Sequence, residues 1–295
     1  MLTPSSPRPA APRLAGLSHH AIFHMCYLVC RRDVQSRGPS VEPPLKELAE
    51  LSRRLGDSRL DLAILGEGNV SVRAEDGAMF VKASGRRMAS ATTDDFVELR
   101  FQPLLELLDD AAAGDADVAA AFRAARSNSL SPSVEAILHV VAQTLGGARV
   151  VAHTHPVAVN ALLCSDRADA LVAGSVFPDQ VVVLGPSQLL VPYADPGLAL
   201  ARLARQMLLD HLERHGAPPK VIYLRNHGLF ALGDSVLEVM NVTEMACKVA
   251  RVIRGALSVG NVTYLAEDEV QRLHGRDDEV QRRVELLRGA SVQGT

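Results

Sequence analysis

The sequence predicts an α/β fold, a three-layer αβα arrangement with a central, largely antiparallel sheet covered by helices on both sides. Short runs with alternating hydrophobic residues come in pairs separated by tight turns, which is typical of β-hairpins. Longer segments with helical spacing lie between these pairs, so hairpins and helices are mixed along the chain. With 295 residues, 47% of them hydrophobic, the chain can bury a sizeable core.

The first predicted elements are a helix followed by three strands. Leucines recur at helical spacing over PLKELAELSRRLGD, and Gly56 is expected to end this helix. The runs NVSVR and AMFVKASG then predict two strands joined by an AEDG turn. In TTDDFVEL, Thr93 is a candidate helix N-cap before a further strand.

The second half of the domain alternates helices and strands. Residues 109–126 are predicted to be helical or loose, and SPSVEAILHVVAQTLGG predicts a helix that begins at Ser and Pro and ends at Gly146. The strand VVAHTHP follows, then a helix from about Asp195 to His215, strands KVIYLR and LFALG joined by NHG, and a helix from about Ser235 to Leu257.

Composition indicates a globular protein that acts on a small molecule. Lys and Arg number 31 against 34 Asp and Glu, a formal net charge of −3, so no basic surface for nucleic acid or membrane is expected. Four cysteines without a CxxC pair favour a reducing compartment, and we expect a cytoplasmic location. No apolar run approaches the roughly 20 residues that span a bilayer.

Three segments are expected along the chain: an N-terminal extension over residues 1–43, the main domain over 44–265, and a charged C-terminal helix and tail over 266–295. Pro, Ser and Ala dominate the first 16 residues and predict disorder. The extension lacks the cleavage pattern of a signal peptide. It also contains His20, His24, Cys26 and Cys30; a docked amphipathic helix is the favoured interpretation, and a metal site is the alternative.

Three histidines are candidate metal ligands. In VVAHTHPVAVN, His153 and His155 are two residues apart, so in a strand their side chains share one face. His227 lies in the NHG turn between two predicted strands, where Gly228 can adopt a positive φ. Three neutral imidazoles leave a coordination position open, as in catalytic zinc sites. Taken singly, each histidine could instead be satisfied within the core or its turn.

Glu135 is a candidate proton carrier. It is placed in the first turn of the predicted helix beginning at SPSVE, where a carboxylate also gains from the helix dipole. Beside a metal site it could move protons. His139, one turn later, could orient Glu135 or pack in the core, and packing is favoured.

Two turns that contain glycine are candidate anion sites. GEGN contains Gly68 and Asn69, and KASG contains Ser84 and Gly85. Their backbone N–H groups could form a concave cradle for an anion, although hairpin turns use glycine for steric reasons alone.

Taken together and in this order, GNVS, KASG, PSVE with a histidine four residues later, HTHP and NHG resemble the class II aldolase/adducin family, over roughly residues 44–264. The resemblance implies that His153, His155 and His227 bind a divalent metal, usually Zn²⁺. It also implies that Glu135 exchanges a proton with the substrate. Substrate phosphate would be held by the two turns and Ser133, that is by Gly68, Asn69, Ser84, Gly85 and Ser133.

Two features differ from the fuculose-phosphate aldolase pattern. Those enzymes have two serines before the glutamate, whereas this chain has Ser133 and Val134, which removes one phosphate-contacting hydroxyl. They also supply a catalytic tyrosine from a neighbouring subunit, but CSDRADALVAGSVFPDQ contains none. KASG and LRNHGLF look more like domains related to rhamnulose-phosphate aldolase.

The resemblance therefore implies a zinc-dependent aldolase-type lyase that cleaves or forms a small sugar-phosphate or hydroxy-carbonyl compound through an enediolate bound to the metal. Relatives place their sites between subunits, which implies a homotetramer. Mn²⁺ or Co²⁺ are alternatives to Zn²⁺. A dehydratase, decarboxylase or epimerase on the same scaffold, or a non-catalytic adducin-like interaction module, are the alternative functions.

Overall fold

The computed structural model describes residues 45–74 and 77–288. In this part of the chain, a seven-stranded sheet is covered by helices on both faces. The strands are β1 (Asn69–Arg73), β2 (Ala78–Lys82), β3 (Phe96–Arg100), β4 (Val150–Thr154), β5 (Leu189–Val191), β6 (Val221–Leu224) and β7 (Gly228–Gly233). The helices are α1 (Leu45–Leu55), α2 (Phe101–Asp109), α3 (Asp115–Ala125), α4 (Ala136–Thr144), α5 (Val157–Leu163), α6 (Pro178–Leu184), α7 (Leu198–His215), α8 (Val236–Val259), α9 (Glu267–Gly275) and α10 (Asp277–Arg288).

The sheet has the strand order β3-β2-β1-β4-β7-β6-β5. Every neighbouring pair is antiparallel except β5 and β6, which run parallel. The predicted three-layer fold with a largely antiparallel sheet is therefore confirmed.

Alternation along the strands divides the core between the two faces of the sheet. On β4, Val151 points to the face covered by α4 and α7, called the α4 face below. Val150 and Ala152 point to the opposite face, covered by α1, α5 and α8 and called the α8 face. Because side chains alternate along a strand, His153 lies on the α4 face with Val151.

Helix α4 begins later than the sequence predicts. Residues 131–132 are extended because Ser84 donates its backbone N–H to the Ser131 carbonyl at 2.8 Å, and Ala83 pairs with Pro132 in an isolated bridge. These contacts hold SPS against the KASG turn, so the helix starts at Ala136 and Glu135 occupies the N-cap position. The predicted first-turn position of Glu135 is corrected to the residue just before the helix.

Other boundaries differ in smaller ways. Thr92, rather than Thr93, is the N-cap of the short 3₁₀ helix before β3, and its hydroxyl and backbone N–H both contact the Asp95 carboxylate. The C-terminal region contains two helices, α9 and α10, where one was expected. The sequence did not predict β5, α2, α5 or α6. The N-terminal extension and its candidate metal residues lie outside the described residues.

Among the helices of the described residues, none is long and apolar enough to cross a bilayer.

Candidate metal centre

His153 lies at the end of β4, fully buried on the α4 face. Its neighbours across the sheet are Asn69 on β1 and Phe230 on β7. The imidazole stacks on the Phe230 ring with centroids 4.4 Å apart, and its Nδ1 lies 2.9 Å from the Leu229 carbonyl. A carbonyl can only accept, so Nδ1 donates to it, and Nε2 is the ring nitrogen that faces His155 and Glu135.

His155 follows the strand by one residue, and its Nε2 lies 2.9 Å from Nε2 of His153. The backbone N–H of His155 donates to the Leu62 carbonyl at 2.8 Å, which attaches the HTHP segment to the loop before β1. Burial lowers the pKa of His155 to about 4, with a further contribution from neighbouring imidazoles. The ring is therefore neutral near pH 7, the state in which histidine binds metals.

His227 lies in the turn between β6 and β7, as the sequence predicts, but the glycine of this turn has a different purpose. Asn226 takes the positive φ of 56°, while Gly228 is needed because a Cβ would lie 2.5 Å from the Thr154 carbonyl oxygen and 2.7 Å from the His155 ring. The side-chain amide of Asn160 donates to the His227 carbonyl at 2.9 Å. The expectation of a positive φ at Gly228 is therefore corrected to close packing against His155.

Glu135 completes the cluster. Its Oε1 lies 2.8 Å from Nε2 of His227 and 3.2 Å from Nε2 of His153. One ligand atom from each of the four side chains lies within 4.8 Å of the others. Burial alone raises the pKa of the Glu135 carboxyl, but the interactions with His153 and His227 outweigh it and hold the pKa well below its usual range. The group is therefore a carboxylate at neutral pH.

The cluster is open on one side. The His153 side chain is fully buried, whereas those of Glu135, His227 and His155 are 12%, 11% and 22% exposed. A ligand can therefore reach these three groups from solvent while His153 anchors the cluster to the sheet.

Asn69, one of the predicted phosphate ligands, is buried beside Glu135. Its Nδ2 donates to Oε2 of Glu135 at 3.0 Å, and its Oδ1 contacts Nε2 of His139. Both ends of the amide are thus engaged, and a role for this side chain in phosphate binding stays a prediction. His139 is fully buried, but the predicted packing in the core is corrected to a hydrogen-bonded position, because its Nδ1 also lies 2.7 Å from Oγ of Ser71.

The remaining predicted substrate ligands lie in turns and loops at the same end of the strands as the cluster. A Cβ on Gly68, whose φ is +69°, would lie 2.8 Å from the His153 carbonyl oxygen, so glycine allows this turn to approach β4. Ser84 and Gly85 are exposed in the turn held against Ser131. The hydroxyl of Ser133 accepts from the Glu135 backbone N–H at 3.4 Å. Their roles in substrate binding stay predictions.

Two charged residues near the cluster were not predicted. Glu67 places Oε1 3.7 Å from Nδ1 of His155 and accepts from the Ile64 backbone N–H at 3.0 Å. Lys82 is buried at the end of β2, with Nζ contacting the carbonyls of Ala83 and Arg86. Burial lowers the pKa of Lys82 to about 8, against the attraction of Asp95 and Glu135. The only sequence signal was a charged residue inside each glycine-containing motif.

The family profile described as "Class II Aldolase and Adducin N-terminal domain" matches residues 46–253. The chain belongs to this family. The match spans β1 to β7 and includes all four residues of the cluster. The family resemblance inferred from the motifs is therefore confirmed.

Solved structures of class II aldolase-like proteins share the fold. The N-terminal class II aldolase domain of a Thermoplasma acidophilum protein is 21% identical, with a TM-score of 0.56 over 75% of this chain and 97% of that one. YgbL from Klebsiella pneumoniae, with aldolase, epimerase and decarboxylase all suggested for it, is 22% identical, with a TM-score of 0.57 over 77% and 99%. An L-fuculose 1-phosphate aldolase is 18% identical, with a TM-score of 0.60 over 79% and 94%. Among curated protein sequences, none matches this chain significantly.

Proposed function

We propose that this protein is a metal-dependent carbon–carbon lyase of the aldolase type, which acts on a small hydroxy-carbonyl or sugar-phosphate compound. The observation that carries the proposal is the convergence of His153, His155, His227 and Glu135 at the end of the central strand β4, on a side that is open to solvent. Family membership supports an aldolase-like enzyme.

The donor set fits a divalent metal such as Zn²⁺. Three imidazoles and one carboxylate are the ligand types that zinc takes, and three neutral ligands with an open side are typical of catalytic rather than structural sites. The hydrogen bond from Nδ1 of His153 to the Leu229 carbonyl is the outer contact that commonly fixes the tautomer of a metal ligand. We assign His153, His155 and His227 as the metal ligands. The ion would supply positive charge that stabilises an enediolate as a carbon–carbon bond breaks.

Glu135 is the proposed proton carrier. It is a carboxylate with one oxygen, Oε2, held by Asn69, while Oε1 faces the imidazoles. A carboxylate in this position can accept a proton from a hydroxy-carbonyl carbon or return it. The partial exposure of its side chain gives the substrate access to it.

Substrate binding is assigned to the turns beside the cluster. We assign Gly68, Ser84, Gly85 and Ser133 to this role, because the hydroxyls of Ser84 and Ser133 and the backbone N–H groups of Gly68 and Gly85 suit a phosphate or a hydroxyl-rich chain. Val134, where fuculose-phosphate aldolases have a second serine, is 46% exposed and offers no hydroxyl. A substrate with a weakly held phosphate, or without one, agrees with this difference. We also propose a homotetramer, as in related enzymes, and a cytoplasmic location.

An epimerase, decarboxylase or dehydratase is the second candidate, because an enediolate or enolate is common to these reactions. YgbL, for which epimerase and decarboxylase activities are suggested beside aldolase, has the same fold. The carboxylate of Glu135 favours cleavage over epimerisation, since similar epimerases lack this glutamate. A non-catalytic adducin-like module would have no need for four converging polar groups.

Metal analysis and product analysis test the proposal together. Purified full-length protein, reconstituted with Zn²⁺, Mn²⁺ or Co²⁺, is expected to hold about one ion per chain. His155→Ala is expected to lose most of this metal, whereas the matched control His274→Ala, a partly buried histidine outside the cluster, retains it. A metal-free protein, or equal metal retention in both variants, would overturn the proposal.

The reaction is read from deuterium exchange and product masses. Dihydroxyacetone and dihydroxyacetone phosphate, a hydroxyketone without and with a phosphate, are incubated with the metal-loaded protein in deuterated water, alone and with a panel of aldehydes. Exchange at the carbon next to the carbonyl, followed by an adduct with the summed mass, supports an aldolase. An isomer, a loss of water or a loss of carbon dioxide would instead indicate the second candidate. Absence of exchange with every metal would contradict both.

A further inference from the structure

A chain of hydrogen-bonded side chains runs through the core of the α4 face and ends at Glu135. Gln143 Nε2 donates to Oγ of Ser71 at 2.8 Å, and Oγ of Ser71 lies 2.7 Å from Nδ1 of His139. Nε2 of His139 contacts Oδ1 of Asn69, and Nδ2 of Asn69 donates to Oε2 of Glu135 at 3.0 Å. The first four side chains are buried, so water does not compete for these contacts.

The direction of each hydrogen bond in this series follows from the atoms that can only accept. A carboxylate only accepts, so the Asn69 amide must turn its NH₂ to Glu135 and its carbonyl oxygen to His139. That oxygen also only accepts, so Nε2 of His139 carries the proton. Burial lowers the pKa of His139 to about 3, with a further contribution from His153, so the ring is neutral and Nδ1 accepts from the Ser71 hydroxyl. Every donor therefore points toward Glu135.

The spacing of residues along α4 and along β1 makes this series of hydrogen bonds possible. Glu135, His139 and Gln143 are four residues apart along α4 and its N-cap, about 6 Å per step, and share one side of the helix. Asn69 and Ser71 are two residues apart on β1, roughly 6.6 Å, and share the α4 face. The two repeats nearly match, so each strand residue meets two helix residues.

We infer that His139 is a positioning residue for the proton transfer assigned to Glu135. Its Nε2–H holds the Asn69 amide in the one orientation that donates to Oε2, and so leaves Oε1 turned toward His153 and His227. Without this contact the Asn69 amide is held only by its bond to Oε2, so its carbonyl end has no donor and the position of the carboxylate is less firmly fixed. The inference rests on the proposed proton-transfer role of Glu135.

Three variants test this role by activity. His139→Leu removes both ring contacts, while His139→Gln keeps a donor for Asn69 and an acceptor for Ser71. His211→Leu is the matched control, because His211 is also buried, on α7, and contacts only Ser187 and His215 among the described polar and ring contacts.

The activity to be measured is the exchange of hydrogen for deuterium in dihydroxyacetone and its phosphate, in deuterated water. We expect His139→Leu to lower kcat about 10–100-fold, the range for outer contacts of site residues, with KM and metal content little changed. His139→Gln is expected to recover most of the loss, and His211→Leu to match the wild type. Equal losses in His139→Leu and His211→Leu, a change confined to KM, or no recovery by glutamine would overturn the inference.

A spectroscopic readout is independent of activity. In metal-free protein labelled with ¹⁵N in histidine, the His139 resonances are identified by their loss in His139→Gln. We expect a neutral ring protonated at Nε2 with slow exchange, and a shift of Nδ1 in Ser71→Ala. A proton on Nδ1, or a charged ring near pH 7, would overturn the inference even if Glu135→Gln is inactive. Conversely, if Glu135→Gln exchanges substrate like the wild type, the proposed function fails while the tautomer can still be observed.

Discussion

On the α4 face of the sheet, helix α4 covers a core in which Asn69, Ser71, His139 and Gln143 are joined by hydrogen bonds. On the α8 face, helices α1 and α8 cover a core of aliphatic side chains with isolated hydroxyls, such as those of Ser52 and Tyr223, that have no hydrogen-bond partner among the described residues. Both cores consist of buried side chains, so burial alone does not separate the two faces.

The difference indicates a division of roles between the two faces. Apolar burial stabilises in proportion to area and has no preferred direction, so the aliphatic core of the α8 face contributes stability without fixing the direction of a polar side chain. Buried hydrogen bonds add little net stability each but are costly to break and fix orientation. The α4 face therefore holds the carboxylate of the site, and the α8 face supports the sheet beneath it.

The largest expected effect on stability comes from shortening a buried side chain on the α8 face. Leu51 on α1 is fully buried, and Leu51→Ala is expected to lower the free energy of unfolding by about 2–5 kcal/mol through lost burial and a cavity. Urea titration followed by circular dichroism measures this, with Leu287→Ala, at a residue 40% exposed, as the control. The metal content of the folded fraction should not change. A loss of metal without a loss of stability would contradict the division between faces.

A smaller effect is expected on the α4 face from removing a single hydroxyl. Ser71→Ala leaves Nε2 of Gln143 without its acceptor and Nδ1 of His139 without its donor, both buried. Unpaired buried polar groups cost about 1–3 kcal/mol, so the free energy of unfolding should fall by that amount. The same urea titration measures it. Unchanged stability would show that the hydrogen-bonded chain is not maintained in solution.

The smallest effect is expected for the same substitution on the α8 face. Ser52 on α1 is fully buried and its hydroxyl has no hydrogen-bond partner within residues 45–74 and 77–288, so Ser52→Ala removes an unsatisfied group and adds a better helix former. We expect stability to rise slightly, by about 0.5 kcal/mol. Parallel thermal unfolding of Ser52→Ala and Ser71→Ala compares the faces directly. Destabilisation of both by the same amount would remove the distinction.

Much of the site could be predicted from sequence because its parts are local. HTHP places one histidine near the end of a strand and a second just after it, NHG places a third in a turn, and the three come together at the end of β4. Helix α1 ends at the predicted glycine, and β1 and β2 form the predicted hairpin. In each case the spacing of a few neighbouring residues determines the geometry, so periodicity is sufficient to predict it.

Other features depend on contacts between distant segments. Strand β5 has only three residues and pairs in parallel with β6, so no hairpin turn indicates it. The late start of α4 depends on pairing between residues 83–84 and 131–132, which helix propensity cannot anticipate. The sequence therefore predicts Glu135 inside the first turn of α4, whereas the structure has it just before the helix.

The sequence by itself determined the fold class, the order of motifs and the residue types of the cluster, because these follow from local periodicity and the chemistry of side chains. Only the tertiary structure decided that His139 joins Asn69 to Glu135, since 70 residues of sequence separate His139 from Asn69. A lone histidine on an apolar helix face is ambiguous until the opposite strand is in register. Here the near match between two strand residues and one helical turn places a donor, rather than an aliphatic side chain, beside the carboxylate.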